Sequence, residues 1–471
     1  MSNISNSIDE YITAVFGPKE LKHYYDYIGR KPIDYIRISK NINYDIVSKL
    51  KNYNISIEKS YENIYKVVDD PENLIGKTLE FVIGDYYIQS LSSTLPPIVL
   101  NPKENENVID LCAAPGSKTT QLSQMMNYTG FLVANEPDIK RVKTLAHNID
   151  KYSSFNTSIM INKGELLSKY FNDEFDKVLA DVPCTGLGIL NKKNEIKNWW
   201  SKKIVDAILD IQYKILLSGI RLVKVGGTVV YSTCTLTVEE NEFIINKILK
   251  NYPVEVEEFN LNIKYRDPIL SYNGNNFDNS ISKAKRVFPW EVDSEGFFIC
   301  KLRKIDKIEN KEKFNFKNEI KDYFNIQSAK YSDYIKILAN NYGIELSEFE
   351  NKLFLLKGND IYMTTNETPF KYLSIFNRSG IKIATINKNN QVVPHTYFSL
   401  IFTNKITNNI LDVSAEQLKN YLAGSNFSTD SPDGYKVIRY NGSIIGNVLV
   451  KTGIAKSQFP KSKRSQQIVI R

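Results

Sequence analysis

Between about residue 80 and residue 305 the chain alternates short apolar runs with longer amphipathic stretches. Runs at 107–113, 131–136, 158–162, 177–182 and 228–234 predict strands of a mostly parallel sheet. Helical periodicity at 138–149 and 205–223 predicts the helices that cover it, which makes the class α/β. Residues 1–78 read as a small α/β unit, with a strand at 32–39, a helix at 44–53 and a strand at 55–57. Residues 79–305 form the catalytic unit and 306–370 a connecting region. From 371 to 471 the pattern turns β-rich, with strands at 382–386 and 436–440 and turns at Asp433-Gly434 and Asn441-Gly442, the texture of a compact barrel-like module.

Composition narrows this picture only a little. With 42% hydrophobic and 24% charged residues, and no apolar run near the roughly 20 residues that a bilayer requires, no membrane span is expected. The first residues show no basic cluster before an apolar stretch, so a cytoplasmic location is the expectation. The net charge of +8 matters through its distribution: Lys451, Lys456, Lys461, Lys463, Arg464 and Arg471 close the chain with no acid among them. That tail is either a solvated basic face or a phosphate-contacting surface. Four cysteines, Cys112, Cys184, Cys234 and Cys300, and three scattered histidines match neither a zinc cage nor a disulfide framework, so no metal is expected.

The candidate chemistry sits where strands end, which is where open α/β sheets bind ligands. Asp110-Leu-Cys112-Ala113-Ala114-Pro115-Gly116-Ser117-Lys118 follows the first strand, and its small residues let a ligand approach the backbone at a helix N-terminus. The next strand ends in Asn135-Glu136, and a carboxylate there can hold both ribose hydroxyls of a nucleoside cofactor. A P-loop needs a second glycine and a following Lys-Ser/Thr, so a nucleoside without phosphates fits better than a triphosphate. The fourth strand ends Asp181-Val-Pro-Cys184-Thr-Gly and the fifth Tyr231-Ser-Thr-Cys234-Thr, which brings two thiols to one sheet edge beside Asp181 and Lys118. Carbon 5 of cytosine accepts a methyl group only after a nucleophile has added to carbon 6, and a thiolate near Lys118 suits that covalent step. Asp181 can hydrogen-bond the base edge and handle a proton.

These motifs, with Glu239-Glu240-Asn241-Glu242, Gln212, Gly226-Gly227 and Gly296-Phe297-Phe298, resemble the Sun family of RNA cytosine-5 methyltransferases over at least residues 80–305. The resemblance implies a Rossmann-like S-adenosylmethionine methyltransferase domain, a small RRM-like N-terminal α/β domain and a C-terminal β-rich PUA-like RNA-binding domain. It also implies that Cys234 is the nucleophile and Cys184 the thiol that promotes release, with Asp181 and Lys118 gripping the base. Cys112, Ala113, Ala114, Pro115, Gly116, Ser117, Lys118, Glu136 and Asp181 would line the S-adenosyl-L-methionine pocket. Lys163 stands where the family usually has an acid near the adenine, and an ammonium cannot accept the adenine amino hydrogen. Cys300 matches no motif and is expected in the core. The implied partner is RNA, ribosomal RNA first and transfer RNA second, bound by a monomer.

Three other readings compete. An amino-group methyltransferase would carry Asn/Asp-Pro-Pro-Tyr/Phe in place of Asp181-Val-Pro-Cys184. A DNA cytosine-5 enzyme would use Cys184 alone as nucleophile. An inactive ribosome-assembly factor would have no need of Cys184, Cys234, Asp181 and Lys118 together.

Overall fold

A computed structural model describes residues 7–39, 42, 44–193, 195–309, 323–325, 327, 331–464 and 467–471. Its centre is a nine-stranded sheet built from β1 (Asn107–Asp110), β2 (Phe131–Asn135), β3 (Thr157–Met160), β4 (Phe175–Asp181), β5 (Val223–Thr233), β6 (Val254–Val256), β7 (Lys285–Val287), β8 (Phe297–Lys304) and β9 (Arg378–Ser379). The order is β6-β8-β5-β4-β1-β2-β3-β9, with β7 paired to β8. Strands β1 to β5 run parallel, and β8 enters antiparallel beside β5. All five strands expected from the sequence are present. The first stops at Asp110 because the expected apolar continuation, 111–113, already belongs to the turn that follows.

Helices Ile139–Lys151 and Lys202–Leu222 cover the sheet, close to the expected 138–149 and 205–223. Asp138 caps the first by accepting from the N–H groups of Lys140 and Arg141. Its apolar stripe, Val142, Leu145 and Ile149, is buried against the C-terminal part of the chain, whereas Ile215, Leu216 and Ile220 of the second pack into the main core with Cys300.

The N-terminal unit holds a four-stranded sheet in the order Ser56–Tyr61, Ile64–Asp69, Tyr35–Ile38, Tyr86–Ile88, backed by helix Ile46–Lys51. Its last strand lies past residue 78, so the sheet crosses that expected boundary. Two helices that the apolar pattern did not suggest, Ile8–Phe16 and Pro18–Ile28, pack instead on the catalytic unit, with Tyr11, Ile12 and Tyr24 against Leu187, Trp200 and Phe288.

Residue 370 is crossed in the same way. The expected connecting region supplies Tyr323–Phe324, Lys352–Lys357 and Asp360–Thr365 to a five-stranded sheet completed by Ile381–Ile386 and Val392–Pro394; residues 310–322 lie outside the described ones. A second five-stranded sheet spans 410–457, with Asn441-Gly442 turning Gly434–Tyr440 into Ser443–Lys451 as expected. Both turn residues have positive φ, the condition for a two-residue hairpin.

The closing residues are not a free basic tail, which corrects that expectation. Lys463 is buried and donates to the Val82 carbonyl, Arg464 donates to the Phe459 carbonyl, and Arg471 pairs with Glu72 at 2.7 Å. Val469 donates its N–H to the Lys77 carbonyl and packs beside the N-terminal sheet, so the chain end clasps its beginning. Only Lys451, Lys456 and Lys461 of the six remain exposed without such partners. Among the described residues no helix is long and apolar enough to cross a membrane.

Candidate active site

The parallel strands deliver their terminal residues to one edge, and the turn after β1 wraps it. Asp110 is buried; it accepts from the Thr119 hydroxyl at 2.7 Å and the Cys112 N–H, and so ties the turn to helix Ser117–Met125. Burial pushes its carboxyl up to about 7. Asn135, at the end of β2, donates to the carbonyls of Leu111 and Asn162, both at 3.0 Å, and so locks the ends of three adjacent strands together. The neighbouring Glu136 lies 3.1 Å from the Arg141 guanidinium, and Arg141 also donates to the Ala114 carbonyl at 2.6 Å.

These groups fit a nucleoside cofactor. Glu136 Oε2 and Asn135 Oδ1 are buried acceptors without a hydrogen bond, at the strand end where ribose hydroxyls are held in such sheets. Cys112 is half-buried in the turn, where burial drives its thiol pKa well up and keeps it neutral. Lys163 is exposed, and its backbone N–H is taken by the Asn162 side-chain oxygen at 2.8 Å.

Next to this pocket, Lys118 pairs with Asp181 at 2.8 Å, donates to Ser93 Oγ at 3.0 Å and lies over the Phe297 ring. Burial pulls the lysine down, but the Asp181 charge and hydrogen bond outweigh it and hold the ammonium above its ordinary range. Ser232 donates to the other Asp181 oxygen at 2.7 Å. The two thiols meet: Cys184 Sγ and Cys234 Sγ are 3.1 Å apart, both partly exposed and both free. The contact with Cys234, reinforced by burial, pushes the Cys184 thiol pKa well up. Cys184 is therefore the S–H donor of the pair and Cys234 the sulfur that accepts.

The framework behind the thiols is the stretch after Cys234, whose role the sequence did not disclose. Glu240 is fully buried and accepts from Thr185 N–H, Gln212 Nε2 and Thr237 Oγ1 at 2.8–2.9 Å. Gln212 also donates to the Pro183 carbonyl, so the Cys184 turn is held on both sides. Asn241 bridges the Thr233 hydroxyl and the Thr235 carbonyl around Cys234, and Glu242 forms a buried pair with Arg286 at 2.5 Å. Gly188 N–H reaches the Cys234 carbonyl at 3.0 Å; a Cβ on Gly188 would fall 2.6 Å from the Gly296 carbonyl oxygen. Clustered polar residues at 239–242 were the one available signal for this scaffold.

The family model for the 16S rRNA methyltransferase RsmB/F matches residues 97–303, and that for the methyltransferase RsmF PUA domain matches 408–465. The ribosomal RNA small subunit methyltransferase F of Shewanella piezotolerans is 30% identical over 415 residues, covering 85% of this chain and 83% of that protein. The chain belongs to the RsmB/F methyltransferase family. Another RsmB/F relative, the ribosomal RNA small subunit methyltransferase F of Vibrio vulnificus, is 32% identical over 385 residues, with 80% and 79% covered. Among solved structures, a methyltransferase homologue from Pyrococcus horikoshii superposes with a TM-score of 0.55 at 28% identity, over 62% of this chain and 92% of that one. The RsmB/F match begins inside the expected catalytic unit, and the PUA match falls inside the expected C-terminal module. This protein is thus an enzyme of the methyltransferase class.

Proposed function

We propose that the protein transfers a methyl group from S-adenosylmethionine to carbon 5 of a cytosine in small-subunit ribosomal RNA, with Cys234 as nucleophile. The observation that carries this reading is the 3.1 Å contact between Cys184 and Cys234 beside the Lys118–Asp181 pair. A single thiol would serve addition alone; two in contact serve addition and release. The names of the curated relatives favour ribosomal over transfer RNA.

The chain's own groups divide the work. Cys234 adds as thiolate to carbon 6 and so raises electron density at carbon 5. Asp181, fixed by Lys118 and Ser232, meets the base edge and holds a proton there. The cofactor, held by residues 112–118 and Glu136, supplies an electrophilic methyl group on a sulfonium. With carbon 5 methylated, Cys184 takes part in removing the carbon 5 proton, the carbon 6–sulfur bond breaks and its electron pair returns to the ring. The N-terminal sheet and the PUA module would present the RNA strand to this edge.

The test is a cysteine exchange with labelled cofactor and ribosomal RNA. Cys234→Ala is expected to abolish transfer, whereas Cys184→Ala accumulates a protein–RNA adduct that survives denaturing electrophoresis. Retained transfer by Cys234→Ala would remove the assignment.

A further inference from the structure

A cleft of about 220 Å³ opens where the N-terminal sheet, the catalytic unit and the C-terminal module meet, and a smaller cavity of about 40 Å³ continues it inward. Tyr44 and Asp85 line it from one side, Thr403, Arg439 and Ser443 from the other, and Lys151 closes the inner end. Ile83 and Ile444 supply apolar walls common to both parts.

Lys151 is the unusual group. Its side chain is only 6% exposed, yet among the described residues it has neither an ion-pair partner nor a hydrogen-bond acceptor. The adjacent Asp150 is taken by Arg378 at 2.8 Å, and the ammonium rests on the Phe81 ring, 3.4 Å from its centroid. Lys463, also buried, adds positive charge nearby. A buried ammonium without a counter-ion costs stability unless something anionic meets it. Asp85 faces the same space, but its carboxylate is held by the Tyr44 hydroxyl. The walls are rigid here: Gly84 has φ +97, and a Cβ on it would fall 2.3 Å from the Lys151 carbonyl oxygen, so N-terminal unit and helix end touch backbone to backbone.

We infer that this cleft takes one unpaired nucleotide of the RNA strand, with its phosphate at Lys151 and its base between the apolar walls, base N–H groups toward Asp85. Phosphate suits the ammonium, a carboxylate accepts from amino and imino groups, and a duplex cannot enter a space of this size. The helix that ends at Lys151 begins beside Glu136, 13 residues earlier, which sets the cleft about 18 Å from the cofactor end. The nucleotide held here is therefore distinct from the cytosine being methylated. The inference rests on the proposed RNA substrate.

The test measures binding of a labelled single-stranded oligoribonucleotide of mixed sequence across a salt series, with guanosine monophosphate as a second ligand. Lys151→Gln should bind the oligonucleotide about tenfold more weakly. Its salt dependence should be shallower by about 0.7 in log–log slope, the loss of one phosphate contact to a single strand. Lys151→Arg should keep both, and cofactor binding should be equal in all three proteins. Ser443→Asp, which adds a negative charge on the opposite wall, should weaken the oligonucleotide even if Lys151→Gln folds poorly. An unchanged slope in Lys151→Gln and unchanged affinity in Ser443→Asp would overturn the inference, as would guanosine monophosphate binding as tightly as the strand. Methyl transfer to ribosomal RNA by the unsubstituted protein is measured alongside: its absence overturns the proposed function, whereas its presence with a null cleft result overturns only this inference.

Discussion

Glu240 accepts the backbone N–H of Thr185 at 2.9 Å and so ties the turn that carries Cys184 to the segment that follows Cys234. Neither residue is a reacting group, yet the meeting of two sulfurs from neighbouring strands depends on this bond and on the Gln212 and Thr237 bonds to the same carboxylate. Replacing Glu240 with Ala leaves these donors buried and unpaired, at a cost on the order of 3–5 kcal/mol. The expected result in urea unfolding is a lower midpoint, with transfer slowed on the order of a hundredfold and cofactor affinity unchanged. Equal loss of cofactor binding would show that the carboxylate supports more than the thiol turn.

Arg37, from the N-terminal sheet, is buried without a carboxylate partner. It donates to Gln89 at 3.2 Å, to Thr120 at 2.9 Å and to Gln124, across the boundary onto the helix that starts the cofactor turn. Arg37→Met should destabilise the protein by about 2–4 kcal/mol and weaken cofactor binding on the order of tenfold. Calorimetric titration with S-adenosylmethionine reads the second effect; unaltered affinity would confine Arg37 to stability.

Asp110 gives a pH signature. Its carboxyl stays protonated in the folded protein up to about pH 7, whereas in an unfolded chain it ionises near about 3.9. The folded state thus binds the extra proton between those values, so this contribution to stability is complete below about pH 4 and is lost as the pH rises to about 7. Asp110→Asn removes the dependence. Melting curves should show the variant gaining on the unsubstituted protein across that window, by on the order of 2 kcal/mol at pH 8; parallel curves would contradict the assignment.

The chain end is structural. Val469→Asp would place a charge against the N-terminal sheet and disturb the bond to the Lys77 carbonyl. A loss of about 1–3 kcal/mol is expected, read as a lower melting temperature with little change in cofactor affinity.

What the sequence determined by itself is what depends on local spacing. Period-two and period-3.6 apolar patterns place the five parallel strands and the two covering helices, because each element must bury its own face. The functional edge was legible for the same reason: residues that follow directly after successive parallel strands must emerge at one end of the sheet, so Cys112, Glu136, Asp181 and Cys234 could be grouped before any distance was known.

Tertiary structure alone decided what depends on partners remote in sequence. Helices Ile8–Phe16 and Pro18–Ile28 are stable on the catalytic unit through Leu187, Trp200 and Phe288, contacts that no local period announces. The sheets that cross residues 78 and 370 take strands from both sides of texture changes, and the basic chain end is absorbed by Val82, Phe459 and Glu72. Glu240 shows the reason most clearly. A buried carboxylate is tolerable only where several donors converge on it, and Thr185, Gln212 and Thr237 converge only after the chain has folded.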